Sequence, residues 1–437
     1  MSIFNGQRGQ LALIAAIVCV ALAVGCARKA STEPVPAARC PYASAGLPDG
    51  CAGADPNGSF TFQRAYGASF GAYARQSGQS WTSDHPWAWD APGVDYPVGY
   101  DMTIALHDPS DVNWVNPVTG KSLAQQHCHY GLREGSTTAH ELDCQDWADF
   151  AKGVPTGSID IEGYDFSGAL TPGAPGCIDL YIQNWNGPIT VKNNKWASVN
   201  PATGACAWQN GWMVRADSKS PAVLVTQNGF GYDSATATTD PGMIGFVDIC
   251  IDGQSETQAS VEYNYFGPTP GRDIAAPCGK LLDAFNVFDG INVSTKSHYH
   301  GEVSLAPVGV AGAIQIDRYD VVVFGKTSQA NTTAFFWTGA PNVAMALAEA
   351  DHNIVATNRV NGKGVPNDSS GVVEVGGDDN TYGAIVVEDN FVDTSGIWDC
   401  LYPFSPRTTL TLAGNVSLNS GLAINSVGVS AGRPGCK

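Results

Sequence analysis

Between Ile189 and Leu418 short stretches alternate apolar and polar residues, run into an asparagine and continue with another bulky side chain. The pattern occupies Ile189 to Trp196, Leu224 to Phe230, Val261 to Phe266, Ile354 to Val360, Ile385 to Phe391 and Leu410 to Leu418. Its asparagines are Asn194, Asn228, Asn264, Asn358, Asn390 and Asn415, at successive spacings of 34, 36, 94, 32 and 25 residues. The long gap holds three periods of about 31 residues, the length of a solenoid repeat. Alternation with period two predicts strands with one buried face, and a lone short strand cannot cover that face. Each coil must therefore lie on the next, with backbone groups paired between coils. Asparagine suits the corner of such a coil because it tolerates left-handed backbone angles, and its amide can bond to the same residue one coil away.

Further alternating strands are expected at Ile159 to Phe166, Ile178 to Ile182, Phe285 to Phe288, Ala313 to Ile316 and Val321 to Phe324. Two helices are expected as well. Thr138 to Glu141 has the form of a capping box ahead of Leu142 to Phe150, and Ala344 to Ala350 reads as a brief helix inserted in a turn. The strand, asparagine turn and strand pattern resembles the right-handed parallel β-helix of the pectate-lyase-like superfamily. The fold expected is thus an all-β, right-handed parallel β-helix solenoid over residues 156–420, with an amino-terminal aromatic and helical cap.

The segments outside the repeat divide readily. Residues 1–25 carry one basic residue, Arg8, and an apolar run of 14 residues from Leu11 to Val24, which reads as an export signal. Ala23 to Cys26 resembles a bacterial lipobox, in which Cys26 is acylated; plain cleavage after Ala23 is the alternative. Of 12 cysteines, Cys19 leaves with the signal, and a lipid on Cys26 leaves ten, all able to pair in an oxidising compartment. Neighbour pairing gives Cys40 with Cys51, Cys128 with Cys144, Cys177 with Cys206, Cys250 with Cys278, and Cys400 with Cys436. Sequence does not fix that connectivity, but contacts between adjacent coils favour it. Residues 26–58, rich in Ala, Pro, Gly and Ser, read as a flexible tether or simply an unstructured start. Residues 59–155 hold an aromatic region, Phe60 to Trp114, that serves either as a cap over the open coil or as a platform for sugar rings. Residues 421–437 form a tail that loses the repeat.

A formal charge of −18, about one unit more negative once Arg8 is removed, argues against nucleic acid and anionic lipid as partners. It suits calcium or a neutral glycan, and also plain solubility. The membrane is expected to be touched only through the lipid anchor, with an exported location in the cell envelope or outside it. Cys128 lies between His127 and His129 but has no Cys-x-x-Cys partner, so zinc is not expected there.

The resemblance implies a glycan groove along one sheet, with catalytic side chains on neighbouring coils. Charged residues at outward positions offer Arg272, Lys296 or Arg318 as cations and His298 or His300 as a base, the set a lyase needs to remove a proton beside a uronate carboxylate. Such residues on exposed coils are also commonly solvated or paired structurally. The Arg-x-Pro-x-x-Arg-like segment of pectate lyases is absent, and of the polygalacturonase motifs only Asp378-Asp379 is present. Those two aspartates are a candidate calcium turn or a solvated acidic one. The function expected is action on, or binding of, extracellular polysaccharide or a cell-surface glycan, with lyase cleavage as its sharp form. The rivals are a non-catalytic adhesin or glycan- or protein-binding solenoid, and a purely structural rod.

Overall fold

A computed structural model describes residues 99–100, 104–134, 137, 140–168, 170–171, 178–197, 212–217, 219–231, 245–250, 257–267, 274–291, 301–305, 310–324, 332–338, 345–357, 369–376, 382–392, 409–417 and 423–424. These residues form a parallel β-solenoid. Three sheets of nine, nine and eight strands run along it, and successive strands of the chain visit the sheets in turn. The first coils show the order: Ile178–Gln183 in the first sheet, Ile189–Lys192 in the second, Lys195–Ala197 in the third, then Trp212–Asp217 back in the first. Among the described strands the pairings between coils are parallel; an antiparallel pair, Cys128–Leu132 with His140–Gln145, lies at the amino end of the first sheet.

Burial follows the alternation. In the second sheet Ile159, Ile161, Ile189, Val191, Val223, Val225, Val261 and Leu281 point inward and are buried. The bulky residue two places after each rung also turns inward, the rung place before Phe166 being held by Tyr164. Phe166, Trp196, Phe230, Phe266 and Phe288 stack in one interior column with ring centroids 4.5, 4.9, 5.0 and 4.7 Å apart. That is the coil spacing itself, so each ring covers its neighbour's face and the column leaves no gap for water.

The asparagines form the expected ladder. The backbone N–H of Asn194 donates to Asn228 Oδ1 (3.0 Å), that of Asn228 to Asn264 (2.9 Å) and that of Asn264 to Asn286 (2.8 Å). Beyond them stand Asp320, Asn353, Asn390 and Asn415, each buried. Two expectations change here. The rung beside Ile354–Thr357 is Asn353, ahead of that strand, whereas Asn358 lies outside the described residues. The alternation around Ile354 therefore follows its rung, as the third-sheet strand Ile354–Thr357, rather than running into it. Nor does the asparagine take the left-handed angles: the residue before it does, at Asn193, Gln227, Tyr263, Phe285, Tyr319, His352 and Asp389, with φ between 53° and 59°. The ladder amide is needed for its hydrogen bonds alone.

Both expected helices are corrected in the same way. Residues 345–351 form the strand Met345–Asp351, paired on both edges with Ile314–Arg318 and Tyr382–Glu388. The alanine-rich composition favours helix weakly, but two waiting strand edges and the inward places of Ala348 and Ala350 outweigh it. His140 and Glu141 of the capping box open a strand, His140–Gln145, whose Leu142 and Cys144 face inward. The helix starts later, at Trp147–Lys152, with Asp146 accepting from the N–H of Asp149.

Cys128–Cys144 and Cys250–Cys278 are bonded as expected. Cys26, Cys40, Cys51, Cys177, Cys206, Cys400 and Cys436 lie outside the described residues. At the amino end, the Gln126 side chain binds the edge of strand Ile159–Glu162 as a peptide group would. Its amide donates to Asp160 O (3.0 Å) and accepts from Asp160 N (2.6 Å), while Asn116 Nδ2 donates to Glu162 O (2.6 Å). Trp114 lies edge-on to the buried Tyr164 and stacks on His107 at 3.9 Å. These contacts give the outermost strand partners for its backbone groups, the need that every sheet edge has.

Candidate functional site on an outer corner

From Gln227 onward the left-handed residues that precede the ladder stand at an outer corner, one per coil, where the second sheet turns into the third, whereas Asn193 is buried. Tyr263, Phe285 and Tyr319 stack there at 4.9 and 5.0 Å with their planes within 3° of parallel. The row continues to His352, whose ring lies 4.9 Å from Tyr319 and tilts by 36°. All four rings are half-buried. Since each ring covers the next, the row presents edges rather than faces to the outside.

At His352 the row changes from aromatic to ionic. Its Nδ1 contacts Asp351 Oδ1, and its Nε2 stands 3.9 Å from Asp389 Oδ2 on the next coil. Backbone bonds hold both corners: His352 N–H donates to Glu388 O (3.1 Å) and Asp389 N–H to Ala413 O (2.8 Å). The row ends at Gly414, where a β-carbon would run into the Asp389 carboxylate. Exposure grades outward across the cluster, from 12% for the Asp351 side chain through 34% for His352 to 51% for Asp389.

Charge balance leans negative. The Asp351 hydrogen bond raises the His352 pKa above its ordinary value against the opposing effect of burial, with Asp389 and Glu388 adding to the rise. Glu388 is raised first by burial, then by repulsion from Asp351, Asp389 and Glu349. Asp351, His352 and Asp389 each offer a ligand atom within 4.8 Å of the others, the one such group among the described residues. An imidazole with two carboxylates suits a divalent ion of intermediate softness. The 3.9 Å between Nε2 and Oδ2 is too long for a hydrogen bond, yet an ion about 2.1 Å from each atom would span it.

Of the five side chains expected to converge for catalysis, Arg318 alone is described. It lies on the outer face of the second sheet, in register with Asp351, and its Nη2 donates to Glu349 Oε1 at 2.6 Å. The guanidinium is engaged in a short ion pair rather than held ready for a substrate carboxylate. Arg272, Lys296, His298, His300 and the candidate metal residues Asp378 and Asp379 lie outside the described residues.

Sequence reasoning passed over Asp351, His352 and Asp389. The signal was present: Ala350-Asp-His-Asn353 and Val387-Glu-Asp-Asn390 align residue for residue once Asn353 is taken as the ladder position. Placing the period on Asn358 put the two tetrapeptides out of phase.

The fold and the corner together define a parallel β-solenoid with an ordered row of outward side chains ending in a histidine–carboxylate cluster. The chain matches no protein family, no curated protein and no solved structure.

Proposed function

We propose that this chain is an exported, lipid-anchored β-solenoid, of the pectate-lyase-like kind, that binds extracellular polysaccharide along the outer corner of its second sheet. The observation that carries this reading is the row Tyr263, Phe285, Tyr319, His352, running straight at coil spacing into the Asp351–His352–Asp389 cluster. A linear polymer lying along the coils meets one equivalent group per turn, which suits a repeating ligand better than a compact one. The acidic end of the row repels a uronate polymer unless a cation lies between them, so binding of such a polymer is strengthened by divalent ions. Recognition is preferred to cleavage because the described cation of the expected lyase set, Arg318, is paired with Glu349.

The experiment is affinity electrophoresis of the full-length chain in gels carrying uronate and neutral polymers, with and without calcium or zinc. Ultraviolet absorbance of the same mixtures reports any unsaturated product. Retardation without absorbance supports binding, and absorbance restores the lyase. No retardation in any polymer, with or without cations, rejects both. Fatty-acid labelling that survives Cys26→Ala removes the anchor from the reading.

A further inference from the structure

In the ladder each asparagine side chain does two things. Its Oδ1 accepts the N–H of the preceding rung, and its Nδ2 donates to a carbonyl of the second sheet. The carbonyls used are those of Ile161, Val191, Val225 and Val261 for Asn194, Asn228, Asn264 and Asn286, at 2.7–2.9 Å. They are Asp317, Ala350 and Val387 for Asn353, Asn390 and Asn415, at 2.8, 2.9 and 2.7 Å. These acceptors are consecutive register partners, and between Val261 and Asp317 the register supplies one more, Asp283. The rung due to donate to it is Asp320.

Asp320 fills half of the role. Its Oδ1 accepts from Asn286 N–H (2.7 Å), and its own N–H donates to Asn353 Oδ1 (2.9 Å). Its Oδ2, in the place of the amide nitrogen, is fully buried and has no hydrogen-bond partner. An ionised carboxylate has no proton to give there, and it would set one negative oxygen against a carbonyl oxygen. The charged groups facing it have the same sign: Asp317 and Asp283 from the inner face of the second sheet, and Glu262. The first sheet contributes Ser304, uncharged, whose Oγ donates to Asp317 Oδ1 (2.7 Å) and accepts from Gln315 Nε2 (2.9 Å). Compare Asp179, also buried, which has Arg133 at 3.0 Å.

We propose that Asp320 carries a proton in the folded protein and serves as a carboxylic-acid rung, its O–H donating to the Asp283 carbonyl where every other rung uses an amide. The middle of the solenoid is then a proton-binding site, and the coil is tied to pH. Burial, with repulsion from Asp317, raises the Asp320 pKa well above the usual carboxylate value despite its bonds from Asn286, and Asp283 is raised by burial and by Asp320 and Asp317. The sign follows. In the unfolded chain Asp320 ionises near pH 3.8 and in the folded one far higher, so between those values the folded state holds the extra proton. The stabilisation is complete below about pH 3.8 and is lost as pH rises from there toward the folded pKa.

The test compares the full-length wild type with Asp320→Asn and Asp283→Asn across pH 4 to 9. One retained proton makes the unfolding constant grow about tenfold per pH unit through the window. Asp320→Asn, whose amide completes the ladder, is expected to lose one proton's worth of that growth, lying near wild type at pH 4 and well above it in stability at pH 8. Infrared spectra at pH 7 should show the carbonyl stretch of an un-ionised carboxyl in the wild type, weakened in Asp320→Asn and retained in part in Asp283→Asn. Equal pH slopes for wild type and Asp320→Asn overturn the proposal. So does a wild-type spectrum without that band at pH 7, a readout that needs no variant to fold.

Discussion

Two rows of side chains run side by side along this solenoid, one residue apart in sequence. The ladder, Asn194 to Asn415, is buried and bonded at every rung. The corner row, Gln227 to Asp389, has the same spacing but left-handed backbone angles, and it stands half in water. Because an inward rung must satisfy backbone groups on neighbouring coils, amide chemistry recurs there with a single substitution, Asp320. The outward row has no such duty, and its chemistry drifts from amide through aromatic to histidine and carboxylate. Coil geometry supplies the spacing of both rows, and burial decides which of them is free to specialise.

The contrast can be broken by substitution, beginning with the interior. Phe230→Ala removes a ring held between Trp196 and Phe266 and is expected to cost about 3–5 kcal/mol in denaturant unfolding. Asn228→Ala strands the Asn194 N–H and the Val191 carbonyl in the core, for a loss of about 2–4 kcal/mol. Faster amide exchange should appear first in the two flanking coils. On the outer row, Tyr319→Ala uncovers one face each of Phe285 and His352 without orphaning a backbone group, so about 1 kcal/mol is expected. A cost equal to that of Asn228→Ala would show that the two rows are not energetically distinct. The smallest stability effect, within about 0.5 kcal/mol, is expected for His352→Ala. Its signature is instead chemical: calorimetric titration with zinc or nickel should show binding to the wild type that His352→Ala and Asp389→Ala both lose. Unchanged binding in both variants would remove the cluster as an ion site.

Much of the fold was legible because the period-two alternation and the ladder asparagine are dictated locally. The places where reading failed share one cause. Ala344 to Ala350 and Thr138 to Phe150 carry helix signals that are real for an isolated segment, but each meets strand edges contributed by distant residues. Asn358 was mistaken for a rung because it, too, follows an apolar alternation, and only the stacked neighbours distinguish it from Asn353. Of the candidate site, Arg318 was found by its charge, but its engagement with Glu349 depends on a residue 31 positions away.

From sequence alone came the repeat, its length and the parallel stacking it requires, since each follows from what a short half-buried strand must do to cover itself; the structure fixes the bonds Cys128–Cys144 and Cys250–Cys278. Tertiary structure alone decided which residues share a corner. A period that varies from 22 to 37 residues lets Asp351, His352 and Asp389, or Asp283, Asp317 and Asp320, meet only when the coils are laid on one another. The spacing along the chain sets how far each turn travels, whereas the hydrogen bonds between turns set where it arrives.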